Sequence, residues 1–107
     1  MTIPGLDELD LLHRHICQAI GDPKRIQMLY ALYETPQAVS SLAERLDLPQ
    51  PTVSRHLGIL RERSLVNTDR QGTTIVYSIA DPTIIHVLDT MRQLLRNLLE
   101  RQTNALE

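Results

Sequence analysis

The sequence predicts a mainly helical α+β domain that carries one small β-hairpin. Three observations predict this fold class. Apolar residues recur at helical spacing through most of the 107 residues, strand-like alternation appears only between Leu65 and Ile79, and Gly or Pro separates these stretches. A chain of this length fits a single domain, residues 1–107, and its limited core favours pairing with a second copy.

Composition restricts the protein to a few classes. The net charge is −2, so any surface for nucleic acid must be local rather than global. Phe and Trp are absent, which leaves Leu, Ile, Val and Met to build the core. The single cysteine, Cys17, excludes an internal disulfide, and the sequence contains neither a secretory signal nor an apolar run of membrane-spanning length. These features predict a cytoplasmic protein without a membrane partner.

Two helices are predicted in the first third of the chain. Residues 6–20 place Leu9, Leu12, Ile16 and Ile20 at helical spacing. The stretch Gly21-Asp22-Pro23 then ends this helix and begins the next, residues 22–33, because Asp suits an N-cap and Pro the first helical position.

The central part of the chain predicts two short helices around a tight turn. Ser41 and Glu44 have the spacing of a capping box, which predicts a helix over residues 41–47. After Pro49, Pro51 suits the first position of a helix over residues 51–63.

A hairpin and a long helix complete the predicted order. Alternation over residues 65–79, with Gly72 at the tip, predicts the hairpin. Residues 82–104 then repeat apolar side chains at coiled-coil-like intervals. The apolar face that Ile84, Leu88, Met91, Leu95 and Leu98 form on this helix needs a partner.

The predicted helix 51–63 has two faces. Val53, Leu57 and Leu60 form one apolar stripe that docks it on the domain, while Arg55 points away from that stripe. We interpret the neighbouring His56 as a structural residue bonded to backbone.

The polar face and the hairpin have chemistry that suits DNA. Arginine can contact guanine bidentately, glutamine suits adenine, and hydroxyl side chains reach phosphates or base edges. Between Pro51 and Tyr77 four arginines face two acids, a modest local excess of positive charge. The candidate DNA-binding residues are Gln50, Thr52, Ser54, Arg55, Arg61 and, beside the hairpin tip, Arg70.

Three ordered motifs resemble the ArsR/SmtB family of winged helix-turn-helix repressors. The motifs are residues 19–26, residues 48–57 and Asp69-Arg70-Gln71-Gly72 followed by Tyr77. The resemblance implies a homodimer paired through its first and last helices, two recognition helices in successive major grooves of operator DNA, and release by a signal. The interface residues that it implies are Leu9, Leu12, Ile16, Ile84, Leu88, Met91, Leu95 and Leu98. Ser64 departs from the pattern, since the family often has Gly there for a left-handed helix end. We therefore expect a slightly different end of the helix at this position.

The metal sites that the resemblance would imply are missing from the sequence. Ala38 and Ser40 stand where many members have a cysteine pair. Of the last-helix zinc ligands only Asp81 survives, because Thr83, Leu94 and Asn97 replace the others. His13 and Cys17 are weak candidates for a metal shared between subunits.

Three functions therefore stay open at this stage. The leading hypothesis is a homodimeric, sequence-specific DNA-binding repressor that has no predicted cofactor and whose small-molecule or metal effector is open. The alternatives are a winged-helix module that binds protein and a metal-responsive repressor that uses His13 and Cys17. No catalytic residues are predicted, because neither a nucleophile set nor a phosphate-binding loop stands out.

Overall fold

Helices and strands follow the predicted order in the computed structural model, which describes residues 2–106 and the side chains of residues 2–104. The α-helices are α1 Leu6–Leu12, α2 Pro23–Glu34, α3 Val39–Leu46, α4 Gln50–Glu62 and α5 Thr83–Leu106. The strands are β1 Gln37–Ala38, β2 Val66–Gln71 and β3 Thr74–Ile79. Helices α3 and α4 form the helix-turn-helix, and β2 and β3 form the wing of a winged helix-turn-helix fold.

One aliphatic core lies at the centre of these elements. Leu29, Leu42 and Leu57 contribute fully buried side chains from α2, α3 and α4. Ile85 and Leu88 close the core from the beginning of α5. Because the core holds α4 against three other helices, the position of α4 is fixed by packing rather than by helix propensity alone.

The first helical segment, residues 6–21, is not the single α-helix that the sequence predicts over residues 6–20. After α1 it continues as a π-helix over His13–Cys17 and ends as a 3₁₀-helix over Ala19–Gly21. The backbone N–H of Gln18 donates to the carbonyl of His13 at 2.9 Å, an i to i+5 bond. A π turn holds more residues than an α turn, so the apolar stripe changes phase and Leu12 stays exposed while Ile20 is buried.

The predicted N-cap of the second helix is confirmed. Asp22 has an extended backbone, and its carboxylate accepts the backbone N–H of Lys24 at 2.8 Å. Pro23 occupies the first position of α2, where its missing N–H is not needed.

The predicted beginning of the third helix is wrong. A two-residue strand, β1, pairs antiparallel with β3 through Gln37–Tyr77 and Ala38–Val76 and makes the sheet three-stranded. This pairing delivers the chain into α3 at Val39, two residues before the predicted capping box. Ser41 therefore lies within the helix, and its hydroxyl bonds to Gln37 Oε1 at 2.9 Å instead of capping it.

Both helices of the helix-turn-helix end on left-handed residues other than glycine. Asp47 follows α3 with φ 54°, and Ser64 follows α4 with φ 62°. After α4, Leu65 N–H donates to Leu60 and Ser64 N–H to Arg61, both at 3.0 Å. These two bonds define a Schellman motif. The expectation of a different helix end at Ser64 is therefore wrong, because Ser64 adopts the same left-handed conformation that a glycine would.

Helix α5 divides into a buried beginning and an exposed remainder. Ile84 and Leu88 are 6% and 2% exposed, so they belong to the core of this chain. Their predicted place in an interface between chains is therefore wrong. Between Met91 and Leu99 the apolar side chains of α5 lie on the surface. No helix among the described residues is both long enough and apolar enough to cross a membrane.

Candidate nucleic-acid interface

Helix α4 is held with one face in the core and the other in solvent. Val53, His56, Leu57 and Leu60 are buried. The turn before it is set by Leu48, whose N–H donates to the carbonyl of Ala43 at 3.0 Å. Pro49 then enters α4 with an extended backbone and without a side-chain cap, so the first N–H groups of α4 remain available to an anion such as phosphate.

The exposed face of α4 presents polar groups at both ends. Gln50, Ser54 and Arg55 are exposed in its first half and Arg61 in its last turn. Among residues 2–104, these four side chains have no hydrogen-bond or ion-pair partner. Their donors and acceptors are thus free for base edges or phosphates.

Two predicted features of this surface change in the structure. Thr52 is only partly exposed, because it lies at the border of the buried face. Arg63 is half-buried on the other side of the helix end, so it adds no charge beside Arg55. The surface formed by α4 and the wing therefore carries less positive charge than the count of four arginines in the sequence predicts.

The wing brings one more arginine to an exposed position. Arg70 is exposed in β2 and pairs with Ile75 of β3, next to the Gln71–Thr74 pair that closes the hairpin. Gly72 has φ 66°, which confirms its predicted role at the tip. A cation at such a tip suits phosphate or a narrow minor groove.

A surface depression connects the end of α4 to the wing. Its volume is about 520 Å³, and it is lined by Arg61 and by residues at the base of β2, including Asn67 and Thr68. Sequence periodicity missed Asn67 and Thr68, because neither residue lies on α4. Their amide and hydroxyl groups add hydrogen-bonding capacity beside the polar face of α4.

A buried polar cluster fixes α4 relative to the first helical segment. The guanidinium of Arg25 donates to the Ala19 carbonyl at 2.5 Å and to the Gln18 carbonyl at 3.1 Å. Its third contact, at 3.1 Å, is with Nδ1 of His56. His56 is 5% exposed, so its structural role fits the prediction, but its partner is a side chain rather than backbone. Sequence reasoning missed the role of Arg25, since His56 lies 31 positions away in the chain.

Burial keeps His56 neutral. It lowers the pKa of His56 below its ordinary value of 6.5, and the nearby Arg25 lowers it further, against the opposing effect of Asp22. The Asp22 carboxylate lies 4.0 Å from Nε2, too far to offset burial. We therefore infer that Nδ1 accepts a hydrogen bond from Arg25 and that Nε2 carries the ring hydrogen.

His13 and Cys17, the candidate metal ligands, do not lie in a cluster of further ligands within the described residues. Cys17 and His13 are both exposed on the π-helix. Over the part of the chain that the structure describes, no three His, Cys, Asp or Glu side chains come together as a metal site would require.

Comparison with known proteins identifies related DNA-binding regulators over the central region of the chain. Residues 22–68 match the model of a family described as bacterial regulatory proteins of the arsR family. The chain is 41% identical over 74 residues to the HTH-type transcriptional regulator KmtR of Mycobacterium tuberculosis. This alignment covers 69% of the chain and 57% of KmtR, and the chain spans 54–60% of the length of several other curated relatives that it matches.

A second relative is matched over most of its length. An HTH-type transcriptional regulator of Methanocaldococcus jannaschii is 34% identical over 80 residues, which are 74% of this chain and 90% of that protein. The fold is also similar to a homodimeric winged helix-turn-helix DNA-binding domain of Mycobacterium bovis solved by NMR. The TM-score is 0.77 at 25% identity, with 94% of this chain and 95% of that chain covered.

Proposed function

Because this chain belongs to the bacterial ArsR family of regulatory proteins, we propose that it is a sequence-specific DNA-binding transcriptional repressor that acts as a homodimer. One observation carries the proposal. Helix α4 buries Val53, Leu57 and Leu60 in the core and presents Arg55 and Ser54 to solvent. In this function the chain acts in the cytoplasm by binding its operator rather than by catalysing a reaction.

Helix α4 enters the major groove in the proposed complex. Arg55 reaches a guanine, while Gln50, Ser54 and the partly exposed Thr52 contact adenine, phosphate or base edges near the beginning of the helix. Arg61 lies farther along the helix and binds phosphate. Arg70 reaches from the wing to the adjacent backbone or minor groove.

A second chain covers the exposed apolar face of α5 in the proposed dimer. Val87, Met91, Leu94, Leu95, Leu98 and Leu99 are each 42–55% exposed and follow helical spacing. Leu12 is 43% exposed on the first helical segment, where Leu9 and Ile16 are partly buried. Such an apolar surface is costly in water. The homodimeric state of the similar M. bovis domain supports pairing through this surface.

The proposed repressor responds without the family's usual metal ligands. Ala38 and Ser40 stand at the positions of the cysteine pair, and Thr83, Leu94 and Asn97 replace three ligands of the last-helix zinc site. His13 and Cys17 are less suited, since holding a metal would require further ligands from the second chain.

A salt-dependent binding titration tests the DNA-binding function. The dimer is titrated onto labelled DNA taken from upstream of its own gene and onto a scrambled duplex of the same composition. We expect preference for the first duplex and a linear fall of log affinity with log salt, because binding releases counterions from phosphates. Binding that ignores both sequence and salt contradicts the proposal and favours a module that binds protein.

A further inference from the structure

An apolar cavity lies behind α4, away from the proposed DNA surface. Its volume is about 420 Å³, which is within the range of about 300–1,000 Å³ typical of small-molecule sites. Three segments form its walls: the first helical segment with Leu12 and Ile16, the turn after α4 with Arg63 and Leu65, and the beginning of α5 with Ile84 and Val87. Five of the ten lining residues are aliphatic, and the other five are His15, Arg63, Ser64, Asp81 and Thr83.

Arg63, a half-buried residue, lines this cavity and gives it a positive charge. Its Nε is fully buried, and no acceptor from residues 2–104 bonds to it. Burying an N–H group of a cation without an acceptor is unfavourable. Nε itself is closed to a ligand, so an anionic oxygen in the cavity would instead be attracted by the charge of the guanidinium, whose planar shape fits a carboxylate.

Asp81 restricts which anions fit. It also lines the cavity, and its carboxylate accepts the backbone N–H of Thr83 at 2.9 Å at the beginning of α5. That hydrogen bond lowers the pKa of Asp81, so the group is negatively charged at neutral pH. A ligand with a second carboxylate would meet this charge or the aliphatic walls, whereas a monoanion can turn its charge towards Arg63.

We propose that this cavity binds a small organic monocarboxylate, with its carboxylate on Arg63 and its apolar body against Ile16, Ile84 and Val87. Two of the three walls, the first helical segment and α5, belong to the proposed pairing surface, and the third follows α4 directly. A bound ligand therefore contacts the elements that set the position of α4 relative to the second chain. The site is independent of DNA binding, whereas its role as an effector site rests on the proposed function.

Direct binding measurements test the site without DNA. Octanoate is titrated into the full-length dimer by calorimetry, with 1-octanol as the uncharged probe and octanedioate as the dicarboxylate. We expect saturable binding of one octanoate per chain and weaker binding of both other probes. Arg63→Gln should lower octanoate affinity by at least about tenfold, because a charge-assisted bond is lost, and should leave octanol affinity nearly unchanged.

Two further variants serve as a charge control and as a second way to block the site. Arg14→Gln removes the same charge from an exposed position on the first helical segment and should bind octanoate like the wild type. Val87→Trp places a bulky side chain in the wall of the cavity while keeping Arg63, and it should abolish binding of octanoate and octanol alike, even if Arg63→Gln does not fold.

Three results would overturn the site. They are absence of saturable octanoate binding, equal loss of affinity in Arg14→Gln and Arg63→Gln, and intermolecular NOEs that place a side chain of the second chain inside the cavity. The effector role is tested separately, by the change in DNA affinity on adding octanoate. If octanoate binds but leaves DNA affinity unchanged, the effector role is wrong and the site stands. If the protein binds no DNA, the proposed function fails and calorimetry still decides the site.

Discussion

The exposed face of α4 and the exposed face of α5 differ in chemistry, although neither is covered by residues 2–104. On α4 the exposed side chains are hydrogen-bonding groups such as Gln50, Ser54 and Arg55. On α5 they are aliphatic, with Met91 47% and Leu95 55% exposed. Water solvates the first surface well and the second poorly.

The two faces are therefore suited to different partners. A polar face is retained at little cost until a polyanion replaces its water, so α4 fits a reversible complex with DNA. An apolar face of several leucines favours permanent burial against a like surface, so α5 fits a second copy of the chain. Substitutions on either face test this difference, and a substitution in the apolar face of α5 should have the largest effect.

Replacing Leu95 by Asp should break the apolar face of α5. An unpaired carboxylate placed between two chains should weaken dimerisation by about 3–5 kcal/mol, the cost typical of an uncompensated buried charge. Sedimentation velocity should then show monomers at micromolar concentration. The matched control is Gln93→Glu, which adds the same charge at an exposed polar position of α5 and should remain dimeric. A dimeric Leu95→Asp protein would refute this interface.

Replacing Arg55 by Ala should damage the polar face of α4. If Arg55 is bidentate to a base, operator affinity should fall by about 1–3 kcal/mol and preference should relax at one base pair. Fluorescence anisotropy on a set of single-base operator variants measures both quantities. Arg101→Ala, on the exposed surface of α5, should have little effect. An equal loss on every sequence would reassign Arg55 to a phosphate.

Replacing Ser64 by Gly should relieve backbone strain at the end of α4. Ser64 has φ 62°, a conformation that costs non-glycine residues about 1 kcal/mol or more. We expect the variant to raise the free energy of unfolding in urea by about 1 kcal/mol. The same exchange at Ser40, inside α3, should lower it by about 0.5–1 kcal/mol. Destabilisation at Ser64 would contradict the strain assigned to this residue.

The smallest expected effect is a pH dependence of stability that originates beneath α4. Burial holds the folded-state pKa of His56 below 6.5, so below that pH the unfolded chain binds a proton that the folded chain does not. The His56 contribution is therefore fully present above about pH 6.5 and is lost as the pH falls towards the folded-state pKa. Urea unfolding between pH 5 and 8 should show this decline.

A variant separates His56 from the other histidines. His13, His15 and His86 are all exposed, whereas His56 is buried. In His56→Gln the slope of stability against pH should flatten, because glutamine can still accept from Arg25 but does not titrate in this range. An unchanged slope would show that another group titrates.

Local signals in the sequence were sufficient for much of the fold. The N-cap at Asp22 and the hairpin tip at Gly72 depend on neighbours within a few residues, and the structure has both. The buried stripe of α4 likewise follows from helical spacing alone. The polar face of α4 could therefore be predicted as the exposed side of that stripe.

Features that depend on distant contacts could not be predicted. Strand β1 has two residues, and only pairing with β3 makes it a strand and moves the beginning of α3 to Val39. The partner of His56 is Arg25, 31 positions away. Arg63 carries the same charge as Arg61, yet its Nε is buried beside a cavity because Ser64 turns the chain there. Tertiary packing decides each of these cases.

A footprint on DNA tests most directly whether the two faces act together. Hydroxyl-radical cleavage of the DNA upstream of the gene is mapped with the wild type and with Leu95→Asp. We predict two protected half-sites related by two-fold symmetry and about 34–36 Å apart between centres, or a multiple of that spacing, with protection lost or reduced to a weak half-site in Leu95→Asp. A single protected site that is the same for both proteins would contradict this account.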